Sequence, residues 1–494
     1  MAGDGIKKVA KDTAIYGLSS IIGKFLNWCL VPIYTRVLET QADYGVVTNL
    51  YGWTALLMVL LTYGMETGFF RFANRKEEDP QTVYSTALIS LAVTSVLFVA
   101  LCWVCITPIS KGLHYVAYPE YIKLLAVIVA MDAFSAIPFA YLRYTNRPIR
   151  FAVIKLLFIF LNITFNLFFL LLCPRIYSSN PQLIDWFYRP GSGVWYIFLS
   201  NFIGTFIMLL MLLPEVTGFK YRFNSALLKR MLHYSLPILA LGVMGIFNQT
   251  ADKIIYPFLF SDETHAKEQL GIYGACFKIA IVMVMFAQAF RFAYEPIIFS
   301  RNKTGSSDSK KAYAEVMKYF IIFGLLIFLT VMFYIDILKF FVDDSYFEGI
   351  KVVPIVMMGE LFFGIYFNLS FWYKLIDKTK YGTYFSAVGS IITLLIIIVF
   401  APVYGYMACA WASFMCNLIM LLLSYFIGQR KFPVQYDLKS AGVYFLVAMV
   451  LFVAGSLVPI ENMAIKILFR TFLLAAFAGF IIKRDVPLGM LIKK

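Results

Sequence analysis

Charge is scarce in this chain. Asp, Glu, Lys and Arg make up 14% of its 494 residues and hydrophobic residues 61%, where soluble domains carry about 25% charge. That composition excludes an ordinary soluble fold. Histidine is rarer still: His114, His233 and His265 show no metal-ligand spacing. The seven cysteines (Cys29, Cys102, Cys105, Cys173, Cys276, Cys409, Cys416) lie within apolar runs or at their ends. Cys102-Trp-Val-Cys105 has redox spacing, but inside an apolar helix its thiols read as small packing groups. A glycine-rich phosphate loop is missing, as is any Ser/His/Asp set. Extramembrane segments longer than about 25 residues are also lacking, which leaves no room for an ATPase or glycosyltransferase domain. The expectation is a chain that is not an enzyme and needs no cofactor.

What the chain has instead is apolar runs of roughly 20 residues, each long enough to cross about 30 Å of hydrocarbon as a helix. Fourteen are expected, at 13–37, 45–70, 83–107, 119–141, 151–173, 194–213, 231–259, 271–299, 314–336, 352–373, 382–401, 404–427, 440–458 and 463–482. The first is too long for a signal-peptide core and lacks a small-residue cleavage site. The net charge of +15 follows loop parity rather than forming a nucleic-acid footprint. With the N-terminus inside, the inside segments carry 27 Lys and Arg. The outside loops carry seven: Arg36, Lys111, Arg175, Arg189, Lys267, Lys339 and Lys351. That asymmetry predicts both termini in the cytoplasm.

One stretch organises the rest. Tyr44–Arg71, YGVVTNLYGWTALLMVLLTYGMETGFFR, is a span with an acid, Glu66, near one end. Laid over Tyr273–Ser300, YGACFKIAIVMVMFAQAFRFAYEPIIFS, it places Glu66 on Glu295 without a gap. Asn27 lies five residues before Pro32, as Asp252 does before Pro257, and Asn146-Arg147 after the fourth span answers Asp377-Lys378 after the tenth. The period is six spans, an even number, so the two copies are parallel repeats. The domain expectation is a six-helix lobe over 1–213, a basic linker over 214–230, a second lobe over 231–427 and a terminal helix pair over 428–494.

Charges within the spans concentrate in the first, second, seventh and eighth. These carry Lys24, Asn27, Glu66, Asp252, Lys253, Lys278, Arg291 and Glu295, while Asp132, Lys155 and Glu360 lie in spans four, five and ten. Intramembrane charges are costly and mark interior cavities or ion paths. Arg143 and Lys155, near a cytoplasmic end, can equally snorkel to lipid phosphate. Asp252 and Lys253 are adjacent and point about 100° apart, so no mutual salt bridge is expected. Lys466 and Arg470 in the last span have no evident role.

The segments KDTAIYGLSSIIGKFLNWCLVPIYTRVLETQADYGVVTNLYG and METGFFRFANR, with Asp252-Lys253 and Leu270-Gly-Ile-Tyr-Gly274, resemble polysaccharide-biosynthesis flippases of the Wzx type. These belong to the multidrug/oligosaccharidyl-lipid/polysaccharide exporter superfamily. The resemblance implies an all-α polytopic membrane protein of fourteen helices, two parallel six-helix lobes plus a C-terminal pair. It implies transport of an undecaprenyl-pyrophosphate-linked oligosaccharide across the bacterial inner membrane by ion-coupled alternating access. Lys24, Arg71, Arg143, Lys253, Lys278 and Arg291 would then bind pyrophosphate. Glu66, Asp132, Asp252, Glu295 and Glu360 would be gating acids or take the coupling ion, Na⁺ or H⁺. Partners on this reading are the lipid-linked substrate, membrane lipids and the pathway's polymerase and chain-length regulator, with no nucleic acid and no metal. Alternatives on the same fold are a multidrug or metabolite antiporter, for which a net acidic cavity is expected, and a lipid II flippase, whose extra arginines in the first span are missing.

Overall fold

The computed structural model describes residues 17, 21–218, 220–302, 307–376 and 378–485, with the side chains of 295–302 and 307–309 excepted. Lys7, Lys8, Lys11, Lys303, Asp377, Lys493 and Lys494, the side chains of Glu295 and Arg301, and most of 13–20 in the first expected span lie outside that description. The described residues are helices and their connections, without a strand. Among the described residues thirteen helices are long and apolar enough to cross a membrane, and they coincide with the second to fourteenth expected spans. The protein is a multi-pass membrane protein. What is described of the first span is two short helices, α1 (21–28) and α2 (Val31–Val37), with a turn at Cys29 and Leu30.

The chain divides into two compact units, Met1–Gly274 with Thr393–Cys409, and Ala275–Ile392 with Ala410–Lys494. The first unit holds α1, α2, α3 (Gln41–Thr62), α4 (Met65–Ala73), α5 (Pro80–Val104), α6 (Ile106–Gly112), α7 (Pro119–Tyr144), α8 (Pro148–Leu167), α9 (Cys173–Ser179), α10 (Gly193–Met211), α11 (Leu213–Val216) and α12 (Ser225–Ile255). It also takes the start of α13 (Glu263–Asn302). Local signals set the helix starts. Thr40 and Asp43 form a capping box on α3, Asp79 caps α5 ahead of Pro80, and Asn224 caps α12; such caps contribute about 1 kcal/mol each. Five π-helical residues, Phe168–Leu172, interrupt the fifth span.

Helix α7 sits centrally in this unit, with α3, α5 and α10 against it, and α12 runs along α3. Between apolar helices in lipid, dispersion and hydrogen bonds take over the role that the hydrophobic effect plays in water. Met65, Phe69, Tyr84, Leu88, Ile137, Leu227 and Met231 accordingly form one closed cluster joining α4, α5, α7 and α12. Val93, Val96, Leu97 and Leu101 instead point outward from α5, as lipid-facing residues do. Asn162 and Asn166 on α8 bond Asn27 (3.3 Å) and Tyr34 (2.9 Å), tying α1 and α2 down. The start of α13 touches α3 backbone to backbone. A Cβ on Gly271 would overlap the Gln41 carbonyl, so only glycine fits.

The second unit holds the remainder of α13, α14 (Ser307–Phe333), α15 (Ile335–Leu338), α16 (Val353–Leu369), α17 (Phe371–Leu375), α18 (Lys380–Tyr404) except its last turns, α19 (Met407–Lys431) except its first three residues, α20 (Leu438–Leu457) and α21 (Met463–Asp485). Here α14 packs on α16, α20 and α21. The two cations that had no evident role belong to this packing. Arg470 is buried and donates to Gly455 O (3.0 Å), Phe333 O (3.1 Å) and Asp336 Oδ2 (2.7 Å), and Lys466 pairs with the same carboxylate at 2.8 Å. They staple α21 to the ends of α14 and α20. At the other end of α21, Asp485 accepts from Lys318 and Tyr444.

Candidate functional site

The second span is broken. Tyr63 (φ 34°) and Gly64 (φ 70°) both take left-handed backbone, ending α3 and starting α4. For tyrosine that conformation is strained, and its hydroxyl is pinned to Ser90 Oγ at 2.6 Å. At Gly64 a side chain would also press on the Ser235 carbonyl of α12 at 2.9 Å. The break places Glu66 in the first turn of α4, where it accepts a hydrogen bond from Arg143 Nη2 at the end of α7.

Around this pair the site is cationic and aromatic. The Arg143 guanidinium lies 5.1 Å from the Phe70 ring and 5.9 Å from Phe151, and its buried Nε has no hydrogen-bond partner among the described residues. Lys155 on α8 lies 4.1 Å over Phe139 and interacts electrostatically with Asp132, Arg143 and Glu66. Arg71 turns to the Tyr234 ring of α12 at 4.0 Å. The structure thus sets Glu66 of α4 against Arg143 of α7, with Lys155 of α8 in electrostatic reach of both and of Asp132 on α7, all within one unit. Both partners of the central pair remain partly exposed, 42% for Glu66 and 32% for Arg143. An arginine so placed can exchange its carboxylate for another anion, since charge-assisted bonds to phosphate are of the same kind.

The acid at the far end of α12 behaves differently. Asp252 is buried and accepts from Tyr273 OH at 2.6 Å. Contrary to expectation, it also pairs with Lys253, whose Nζ reaches both carboxylate oxygens at 3.1 Å. Adjacent Cβ atoms do diverge, but the four-carbon lysine stem curls back over its own turn, where Nζ also meets Gln249 O (3.1 Å). Asp252 is therefore fully engaged within its own unit.

Around it lies a network that sequence reasoning missed. Asn49 donates to Lys253 O (2.7 Å) and accepts from Tyr115 (3.0 Å). His114 pairs with Glu263, and Lys267 donates to His114 O at 2.9 Å. No sequence signal joins His114 to Glu263, which are 149 positions apart.

Lys24 is exposed on α1. In the second unit, Lys278 and Glu360 are half-buried, and Arg291 lies 4.4 Å over the Phe367 ring. Among the described residues no group of His, Cys, Asp and Glu could hold a metal ion.

Known structures share this architecture. The lipid II flippase MurJ in an inward closed conformation superposes with a TM-score of 0.74 at 14% identity, over 95% of this chain and 99% of that one. An inward-facing multidrug resistance MATE family transporter of the MOP superfamily gives 0.67 at 12% identity, over 83% and 94%. The MATE multidrug transporter DinF-BH gives 0.61 at 16% identity, over 85% and 95%. At such identities the likeness is one of fold. Among curated proteins no sequence matches. Residues 9–300, more than half the chain, match the family of polysaccharide biosynthesis proteins, and the chain belongs to that family.

Proposed function

We propose that the protein is a flippase that carries an undecaprenyl-pyrophosphate-linked oligosaccharide across the bacterial inner membrane, with both termini in the cytoplasm. The observation that carries this reading is the exchangeable Glu66–Arg143 pair, set inside the spans of a polysaccharide biosynthesis protein with Lys155 and Asp132 beside it.

Moving two phosphates through hydrocarbon uncompensated is prohibitive. Arg143 and Lys155 answer that charge, and Lys24, Arg71, Lys253, Lys278 and Arg291 are the further cations assigned to it on this reading. As phosphate draws Arg143 away, Glu66 is released to take H⁺ or Na⁺, which couples the movement to an ion gradient. Glu295 is the counterpart of Glu66 in the second repeat, and Asp132, Asp252 and Glu360 complete the set of acids.

The test is complementation of a strain lacking the gene, reading surface polysaccharide against the amount of membrane-inserted protein. Arg143→Ala, Lys278→Ala and Arg291→Ala should abolish polysaccharide at normal protein levels, with Arg291→Lys tolerated better than Arg291→Glu. Normal export after charge reversal at Lys24, Arg143, Lys278 and Arg291 would reduce these residues to scaffold and end the proposal.

A further inference from the structure

The connection between α7 and α8 lines an open cavity of about 620 Å³ that the Glu66–Arg143 site does not use. Arg147, Arg150, Ile149, Val153 and Met211 are among its walls. Arg150 is held in place: its Nε donates to Glu215 Oε1 at 2.9 Å and its Nη2 to Oε2 at 3.0 Å. Glu215 is itself only 2% exposed, and its main-chain carbonyl accepts from Tyr84 at 2.7 Å.

One carboxylate cannot neutralise two guanidiniums. Arg147 approaches Glu215 Oε1 at 3.9 Å, beyond hydrogen-bond reach, and is 56% exposed. The cavity therefore keeps about one uncompensated positive charge. Beside it, Ile149 and Val153 expose apolar side chains at the end of a membrane-crossing helix. A soluble anion has no use for such walls. An amphiphile with a phosphate at the membrane surface matches both halves of the lining.

We propose that this cavity is a binding site for the phosphate of a membrane lipid. Arg147 makes the charge-assisted contact, Arg150 is the second guanidinium positioned by Glu215, and the first carbons of the lipid tail lie against Ile149 and Val153. Two lipids carry the required chemistry, an anionic glycerophospholipid and a polyprenyl phosphate. The site rests on the chain being a membrane protein and not on the flippase reading.

The test uses the full chain purified into phosphatidylcholine. Native mass spectrometry then measures retention of added phosphatidylglycerol, polyprenyl monophosphate or inorganic phosphate. Wild type should retain at least one of the two lipids, and the stronger of them identifies the source. Arg147→Gln should weaken retention about fivefold, the effect of one basic residue at a membrane surface, with Arg147→Lys in between. Lys220→Gln, on the neighbouring basic connection, should leave it unchanged. Arg150 is not the residue to replace, because its loss strands a buried Glu215. Equal retention by wild type and Arg147→Gln, an equal loss in Lys220→Gln, or binding of inorganic phosphate alone would overturn the proposal.

Discussion

Replacing Arg470 by methionine keeps a long, flexible side chain and removes only the guanidinium. Three hydrogen bonds go with it, to Gly455 O, Phe333 O and Asp336 Oδ2. The two carbonyl bonds contribute roughly 1–1.5 kcal/mol each. Breaking a buried ion pair costs about 3–5 kcal/mol when the remaining charge is left alone. Asp336 is not left alone, since Lys466 stays 2.8 Å away, so the net loss should come to about 3 kcal/mol, at the lower end of that range. The assay is thermal denaturation of the purified protein followed by size-exclusion chromatography. Arg470→Met should melt several degrees below wild type. Arg470→Lys, which can pair with Asp336 but cannot reach all three acceptors, should fall between them. Lys466→Gln should be milder, because Arg470 still holds Asp336. Wild-type stability in Arg470→Met would refute the view that this residue staples the last helix to α14 and α20.

Charge reversal at Arg143 alone should abolish surface polysaccharide, and the exchange Glu66→Arg with Arg143→Glu should restore part of it, read by immunoblot at matched protein levels. Gly271→Leu should prevent accumulation of folded protein, because its side chain would fall on the Gln41 backbone; Gly112→Leu, where nothing lies within 4 Å, should not. Asp79 caps α5, and the Thr82 hydroxyl, followed by the Gln81 and Thr82 N–H groups, holds its carboxyl below the usual carboxylate range. Asp79→Ala should therefore cost about 0.5–1 kcal/mol near neutral pH. A depressed carboxylate contributes its stability above the unfolded value of about 3.9 and loses it as pH falls through the folded value, so denaturation curves of variant and wild type should converge only below about pH 4.

Much of the fold was legible because an apolar run of 20 residues has few options in a bilayer. Among the described residues thirteen spans appear where thirteen of the fourteen runs lie. What escaped is what hydropathy does not encode. The break at Tyr63-Gly64 falls inside an unbroken apolar run, and a lone Tyr-Gly pair does not announce two left-handed residues. The π-helical stretch at Phe168–Leu172 is likewise invisible in FFLLL. Glu66 was recognisable as a costly charge and Arg143 as a cation near a cytoplasmic end, but their pairing depends on how α4 and α7 pack, 77 residues apart. Lys253 was misjudged because the direction of Cβ says little about where a lysine Nζ ends. Arg470 found its role only through Asp336, the last residue of the ninth expected span, 134 positions away.

By closing α3 at Thr62 and opening α4 at Met65, the chain creates a fresh helix start inside a membrane span, with Glu66 in its first turn. The unbonded N–H groups of such a start carry roughly half a positive charge. That charge belongs to the main chain, so no rotamer change of Arg143 or Lys155 removes it. In the proposed exchange of Arg143 onto a phosphate, the Glu66 carboxylate keeps a standing counter-charge worth about 0.3–2 kcal/mol. On the proposed function, the backbone field lowers the cost of that exchange, and it does so with groups that side-chain substitution leaves in place.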